Sequence, residues 1–291
     1  MHLAVLGTGL MGAPLAERLL DAGHAVTVYN RTRRKAEALR DAGATVAATP
    51  AEALDSAECA LLMLADAAAI RTTLFEDGTA EQLRGRTLVQ MGTIAPEESR
   101  QLQTQVEAAG GEYLEAPVLG SIAEVRAGTL LVMVGASPAQ YERWLPVLRC
   151  LGPEPVRVGP VGHAAALKLA LNQLIASLNA AFALSVGLAE RSGVAVEDFM
   201  AVLRPSVLYA PTFDRKLPRM QARNYADPNF PVKHMLKDVR LVFDTARRLG
   251  LATTALDGVR RVLEDTVAAG LGDADYCALS EIVNPPHASG R

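Results

Sequence analysis

Short apolar runs at residues 3–6, 25–29, 59–64, 87–91 and 129–134 alternate with amphipathic stretches at 11–22, 33–42, 96–109 and 138–148. After about Pro160 the runs stop. Alternation of this kind predicts βαβ units on a mostly parallel sheet. The rest of the chain reads as helix only, at 163–190, 196–203, 232–249 and 253–269, with loops rich in Pro, Asn and Arg between, notably 209–231. Gly23 and Gly43 fall where helix C-caps are expected, and Pro50, Pro96 and Pro138 where first-turn prolines are tolerated. With 291 residues there is room for two cores. The expectation is an α/β domain over 1–160 and an all-helical domain over 161–291, joined by a long helix. The tail 284–291, with two prolines and little to bury, is expected to be disordered.

Half of the residues are hydrophobic and 21% are charged, the balance of a globular chain rather than a disordered one. A net charge of -3 offers no electrostatic case for nucleic acid or an anionic membrane as partner. Cys59, Cys150 and Cys277 are few, odd in number and without metal-ligand spacing, so they read as reduced thiols of a cytoplasmic protein. The chain runs directly into its first apolar segment, and no secretion leader is read there. Residues 169–189 carry no charge and are long enough to cross a bilayer. They also contain Asn172, Gln173, Ser177, Asn179 and Ser185, so a helix buried inside the protein is expected instead.

Directly after the first run comes Gly7-Thr8-Gly9-Leu10-Met11-Gly12, a G-x-G-x-x-G sequence that opens a helix. In a Rossmann-type unit the first glycine permits the tight turn, the second lets a pyrophosphate approach, and the third lets helix and strand pack. The phosphates would then sit at the helix N-terminus, where unpaired N–H groups and the dipole favour negative charge. The second strand ends Tyr29-Asn30-Arg31-Thr32, where an acid for the ribose 2′-OH is usual in NAD-selective folds. Asn30, Arg31 and Thr32 can instead hydrogen-bond a 2′-phosphate, so NADPH is the expected cofactor, with NADH as the second choice. Arg34 and Lys35 read as a solvated helix start.

Lys168 is the only formally charged residue between Arg157 and Glu190, and Asn172 lies one helical turn beyond it. An amine in so apolar a helix needs a partner or a reaction that uses it. His163 reads as a helix-start residue and His234 as adjacent to a pocket at most.

These features together resemble the β-hydroxyacid dehydrogenase superfamily, and within it the NADPH-dependent glyoxylate/succinic semialdehyde reductase branch. The resemblance covers nearly the whole chain. It is carried by Gly7–Gly12, Gly23-His24, Val28–Thr32, Glu115-Ala116-Pro117-Val118, and Gly162 with Lys168 and Asn172. Phe230-Pro231-Val232-Lys233-His234, Lys237–Leu241, Gly270–Asp273 and Asp275 extend it. It implies hydride transfer between a nicotinamide and a small carbonyl compound or hydroxy acid. Lys168 would give a proton to the carbonyl oxygen, and Asn172 would orient the lysine or the substrate. Gly7, Gly9, Leu10, Met11, Gly12, Leu64, Thr93 and Lys237 would contact the cofactor. Leu119, Gly120, Ser121, Phe230 and Asp238 would line the substrate pocket, although Asp238 also reads as an ordinary surface acid beside Lys237. A homodimer or homotetramer is implied.

Two departures bear on the substrate. Where the family reads Pro-Val-Ser-Gly this chain has Pro117-Val118-Leu119-Gly120, and the family's Ser-Thr pair is Gly92-Thr93, preceded by Gln90 rather than an acid. Two hydroxyls that would serve a substrate carboxylate are missing, unless Ser121 or backbone N–H groups replace them. A larger or less acidic substrate is therefore expected. Three other readings stay open: a 3-hydroxyisobutyrate-type dehydrogenase, an imine reductase, and an NADP-binding module without catalysis.

Overall fold

A computed structural model of the chain describes residues 1–55 and 57–286. The first of its two units, Met1–Leu169, is built on one sheet. Among the described residues its strands are β1 His2–Leu6, β2 Ala25–Tyr29, β3 Thr45–Val46, β4 Cys59–Leu62, β5 Thr87–Gln90, β6 Glu112–Glu115, β7 Val118–Leu119, β8 Leu131–Gly135 and β9 Val156–Gly159. Their order is β3-β2-β1-β4-β5-β6-β8-β7, with β9 on β8. Every pair from β3 across to β6 is parallel, and β8 turns antiparallel against β6 and β7. The chain leaves β1 toward β2 and β3, then returns to the other side at β4. That reversal opens a crevice at the carboxyl ends of β1 and β4, which is where doubly wound sheets bind nucleotides.

The apolar runs are continuous because both sheet faces are covered. Leu3 and Val5 of β1 enter a core with Leu15, Leu19 and Trp144, while Ala4 and Leu6 enter another with Leu54, Ile70 and Leu102. Strands β3, β6, β7 and β9 did not announce themselves in the sequence. They are two to four residues long, and β6 and β9 include the charged residues Glu112, Glu115 and Arg157.

The second unit, Ala170–Arg291, is helical. Its helices include Val196–Leu203, Pro211–Ala222, Val232–Arg248 and Thr254–Thr266. The stretch 209–231, expected as loop, contains the helix Pro211–Ala222. Proline stands at its first position, and Phe213, Lys216, Leu217 and Met220 form a buried stripe at helical spacing. Phe213 stacks on Phe182 with ring centroids 4.4 Å apart.

The helix His163–Arg191 spans the boundary between the units. By packing, the units part at Leu169/Ala170, inside this helix, whose first turn Glu115 ties to the sheet of the first unit. The helix is also less covered than its composition suggested: only 39% of its most apolar 18-residue window is buried. Asn172 and Asn179 face inward, whereas Leu174, Leu178, Leu184 and Leu188 are exposed. Polarity along the chain does not report which face is covered.

The tail also differs from expectation. Asn284 donates to Glu190 and accepts from Arg191, and the Pro285 carbonyl accepts from Arg191. Of the stretch expected to be disordered, residues 287–291 lie outside the described residues.

Candidate active site

The glycine turn after β1 meets each demand of a pyrophosphate loop. Gly7 has φ +101°, and a Cβ there would lie 2.4 Å from the Met63 carbonyl oxygen. A Cβ on Gly12 would lie 1.8 Å from the Gly7 carbonyl oxygen, so only glycine lets the helix Gly12–Asp21 start this close to β1. Gly9, in contrast, has nothing within 4 Å of its Cβ position. The turn is closed beneath and open above, facing the N–H groups of a helix start. The Thr8 hydroxyl is buried here without a hydrogen-bond partner. A nicotinamide dinucleotide fits this turn. Leu10 is largely exposed and Met11 partly so.

Asn30 ties the second strand to this turn. Its Oδ1 accepts from the Thr8 N–H at 3.1 Å, and its Nδ2 donates to the Thr32 carbonyl at 3.0 Å. Thr32 precedes the helix Arg33–Glu37 without spending its hydroxyl on a cap, and Arg31 is exposed beside it. Arg33 is bound to Glu37 at 2.9 Å, leaving Arg31 and Thr32 as the nearer groups for a ribose phosphate.

The carboxyl ends of β4 and β5 complete this half. Leu64 lies against both glycine loops: its Cδ2 is 3.0 Å from a Cβ built on Gly7, and its carbonyl oxygen is 2.5 Å from one built on Gly92. Gln90 locks the second loop, with Oε1 accepting from the Gly92 N–H at 2.7 Å and Nε2 donating to the Gly92 carbonyl at 2.8 Å. The hydroxyl missing at residue 92 is thus missing for a steric reason, since no side chain fits there. Thr93, next in line, is partly exposed. Gly120 has φ +143°, and Ser121 caps the helix Ile122–Ala127. The Ser121 N–H and hydroxyl both donate to Glu124 Oε2, so this hydroxyl is committed to the cap. Leu119 is partly buried on β7.

Lys168 stands in the second turn of the long helix and is partly exposed. In the second unit Asn172, buried, donates from Nδ2 to Asp238 Oδ2 at 2.6 Å, leaving its Oδ1 buried without a partner. Asp238 is only 2% exposed and also pairs with Lys237 at 2.8 Å. The surface-acid reading of Asp238 therefore fails: the carboxylate is interior and fixes the Asn172 amide. His234, one turn earlier on the same helix, is held below the usual imidazole range by burial first and by Lys237 and Lys233 next.

Phe230 is partly buried, packs edge-on against Tyr276 at 5.9 Å and gives its carbonyl to the Tyr276 N–H. Behind it Lys216 Nζ lies 2.7 and 2.9 Å from the two oxygens of Asp275 and 4.2 Å from the Tyr276 ring centre. The fold thus gathers the glycine turn, Asn30, Leu64 and Thr93 in the first unit. In the second it gathers Asn172, Lys237 and Asp238, with Phe230 in a separate cluster around Asp275. Sequence reasoning named Gln90 as a departure and Glu115 within a matching block but gave neither a structural part, and it did not name Lys216. The signal available was a polar side chain ending an apolar strand or placed on the buried stripe of a helix.

Residues 2–159 match the NAD binding domain of 6-phosphogluconate dehydrogenase, and residues 162–283 match the NAD-binding family of NADP-dependent 3-hydroxyisobutyrate dehydrogenase. Glyoxylate/succinic semialdehyde reductase 1 of Arabidopsis thaliana is 31% identical over 97% of this chain and 98% of its own length. A 3-hydroxyisobutyrate dehydrogenase from Salmonella typhimurium shares the fold at a TM-score of 0.88, with 24% identity over 97% of this chain and 99% of that one. An imine reductase from Myxococcus stipitatus in complex with NADP+ has a TM-score of 0.67 at 25% identity, over 97% and 99% of the two chains. On its fold, its glycine turn and these relatives, the chain belongs to the β-hydroxyacid dehydrogenase superfamily and is an NAD(P)-dependent oxidoreductase.

Proposed function

We propose that the protein is an NADPH-dependent reductase of small aldehydes or 2-oxo acids, with Lys168 as the proton donor. The observation that carries the reading is the single lysine of a long apolar helix, one turn before the buried Asn172, in a chain with an open pyrophosphate turn. When bound, the reduced nicotinamide supplies the hydride. Lys168 Nζ gives its proton to the oxygen that becomes the alcohol, a contribution of about 10²- to 10⁴-fold for a well-placed acid. Asn172, its amide held by Asp238, offers an acceptor oxygen to a hydroxyl or an amine. NADPH consumption across a panel of aldehydes and 2-oxo acids tests this: Lys168→Ala should abolish turnover while the protein stays folded. Full activity in that variant refutes the assignment.

The preference for NADPH rests on Arg31 and Thr32 beside the anchored Asn30, in a strand end (residues 29–32) that carries no acid to repel a 2′-phosphate. Arg31→Asp should narrow or reverse the ratio of NADPH to NADH dissociation constants. Equal constants in the unaltered protein would remove this reading.

Leu119, Gly92 and the committed hydroxyl of Ser121 leave the pocket poor in donors for a carboxylate, which favours an aldehyde over a small acid. The same apolar substitution supports a second reading as an imine reductase, the activity for which one structural relative is named. Turnover of a cyclic imine but of no aldehyde would place that reading first. NADPH binding without turnover of any carbonyl or imine would instead indicate a binding module. We further propose a cytoplasmic homodimer or homotetramer, its subunits joined through the leucines on the uncovered face of the long helix.

A further inference from the structure

Glu115 ends β6 and is 1% exposed. Its Oε1 accepts from three backbone N–H groups, those of Gly162 at 2.8 Å, Ala164 at 2.8 Å and Ala165 at 3.1 Å. These lie at the N-terminus of the helix His163–Arg191, where N–H groups lack partners within the helix. The other oxygen accepts from the Ser99 hydroxyl, which also lies 3.0 Å from the Tyr113 hydroxyl. The neighbouring strand leaves room for this arrangement: a Cβ on Gly135, the residue opposite Glu115, would lie 2.4 Å from Glu115 Oε1.

A helix start is the place where helices fray, and each freed turn displaces the side chains beyond it. Lys168 stands one turn beyond Ala164 and Ala165, and in a regular helix its own N–H closes on the Ala164 carbonyl. The clamp therefore holds the turn from which the Lys168 side chain departs. A buried carboxylate whose hydrogen-bond partners are neutral N–H and O–H groups is costly to keep. Three N–H groups at one oxygen, together with the helix dipole, offset part of this cost, while burial still pushes the Glu115 carboxyl above its ordinary range.

We propose that Glu115 is a positioning residue for the reaction: by clamping the first turn of the long helix to β6, it sets the position and heading of Lys168. The inference rests on Lys168 being the proton donor. Glu115 touches neither substrate nor cofactor in this role, so its loss should fall on kcat and leave cofactor binding intact.

The test compares Glu115→Asp, Glu115→Gln and Lys168→Ala in the full-length protein. Aspartate keeps the charge but withdraws the carboxylate by one methylene. Glutamine keeps an acceptor at the three N–H groups, and its amide can donate to Ser99. Glu115→Asp should lower kcat by about 10- to 100-fold, as misplacement of a catalytic group by up to an ångström does. Its NADPH dissociation constant should be unchanged, and amide hydrogen exchange at residues 164–168 should be faster. A deuterium isotope effect from 4-deuterated NADPH should grow as the chemical step becomes limiting. Glu115→Gln should restore kcat to within about fivefold, the loss expected from one charge at a helix end. If Lys168→Ala is inactive and folded Glu115→Asp keeps full kcat, the inference is overturned. It is also overturned if Glu115→Gln is no better than Glu115→Asp. If Lys168→Ala remains active, the lysine reading itself has failed.

Discussion

At the residue scale, the hydroxyls absent from this chain have different physical histories. Leu119 is a partly buried side chain on β7, whereas Gly92 is imposed by the Leu64 carbonyl. Leu119→Ser should raise kcat/KM for glyoxylate about tenfold, the worth of one hydrogen bond to a carboxylate. A panel assay that shows no gain for acids over aldehydes would count against the pocket assignment. Gly92→Ser should not add to that gain. It should lower stability by about 1–3 kcal/mol in urea, because its Cβ has no space. Asn30 adds a structural part to the contact its identity suggests: its Oδ1 accepts from the Thr8 N–H and one Nδ2 proton goes to the Thr32 carbonyl, which shapes the turn, while a primary amide carries a second N–H that can serve a phosphate.

At the element scale, the long helix is where composition misled most. Its burial was expected because polar side chains interrupt an otherwise apolar run, yet Asn172 and Asn179 are buried while Leu174, Leu178, Leu184 and Leu188 are exposed. Leu167, Leu174 and Leu188 fall at heptad spacing with Ala181 between, and Leu184 and Leu178 flank them. Read in reverse about residues 177 and 178, the pattern pairs Leu167 with Leu188 and Leu171 with Leu184, as an antiparallel pair of identical helices would require. Leu174→Glu together with Leu184→Glu should convert the proposed oligomer to a monomer in light-scattering chromatography. An unchanged mass would assign the face elsewhere. The helix Pro211–Ala222 escaped notice because its two prolines and many charges look like loop; its buried stripe is legible only when period is weighed above composition.

At the scale of the whole molecule, the helical unit is anchored by an ion pair that water hardly reaches. Burial alone would push Asp275 up, but its hydrogen bond to Lys216, the lysine charge and the Cys277 N–H hold it below the usual carboxylate range. A depressed acid stabilises the fold at pH values above its unfolded pKa, and that stabilisation is lost as pH falls through the folded value. Lys216→Met leaves the carboxylate buried without its cation and should cost about 3–5 kcal/mol at neutral pH. Because the stranded Asp275 then takes up a proton more readily, the deficit should shrink near pH 4, around the ordinary aspartate value. Urea denaturation of both proteins at the two pH values decides it, and an equal deficit at both would show that the pair contributes no such linkage.

The order of elements was legible along the chain, because apolar period and glycine turns are local properties that each segment carries by itself. So were the dinucleotide turn and the singular lysine, since a charge in an apolar run stands out without any neighbour being known. Which polar groups serve one another was decided only by the tertiary structure. Glu115 reaches residues 162–165, Asn172 reaches Asp238 and Lys216 reaches Asp275 across 47 to 66 positions of chain. The desolvation that makes each of these pairs matter exists only once the cores have closed around them.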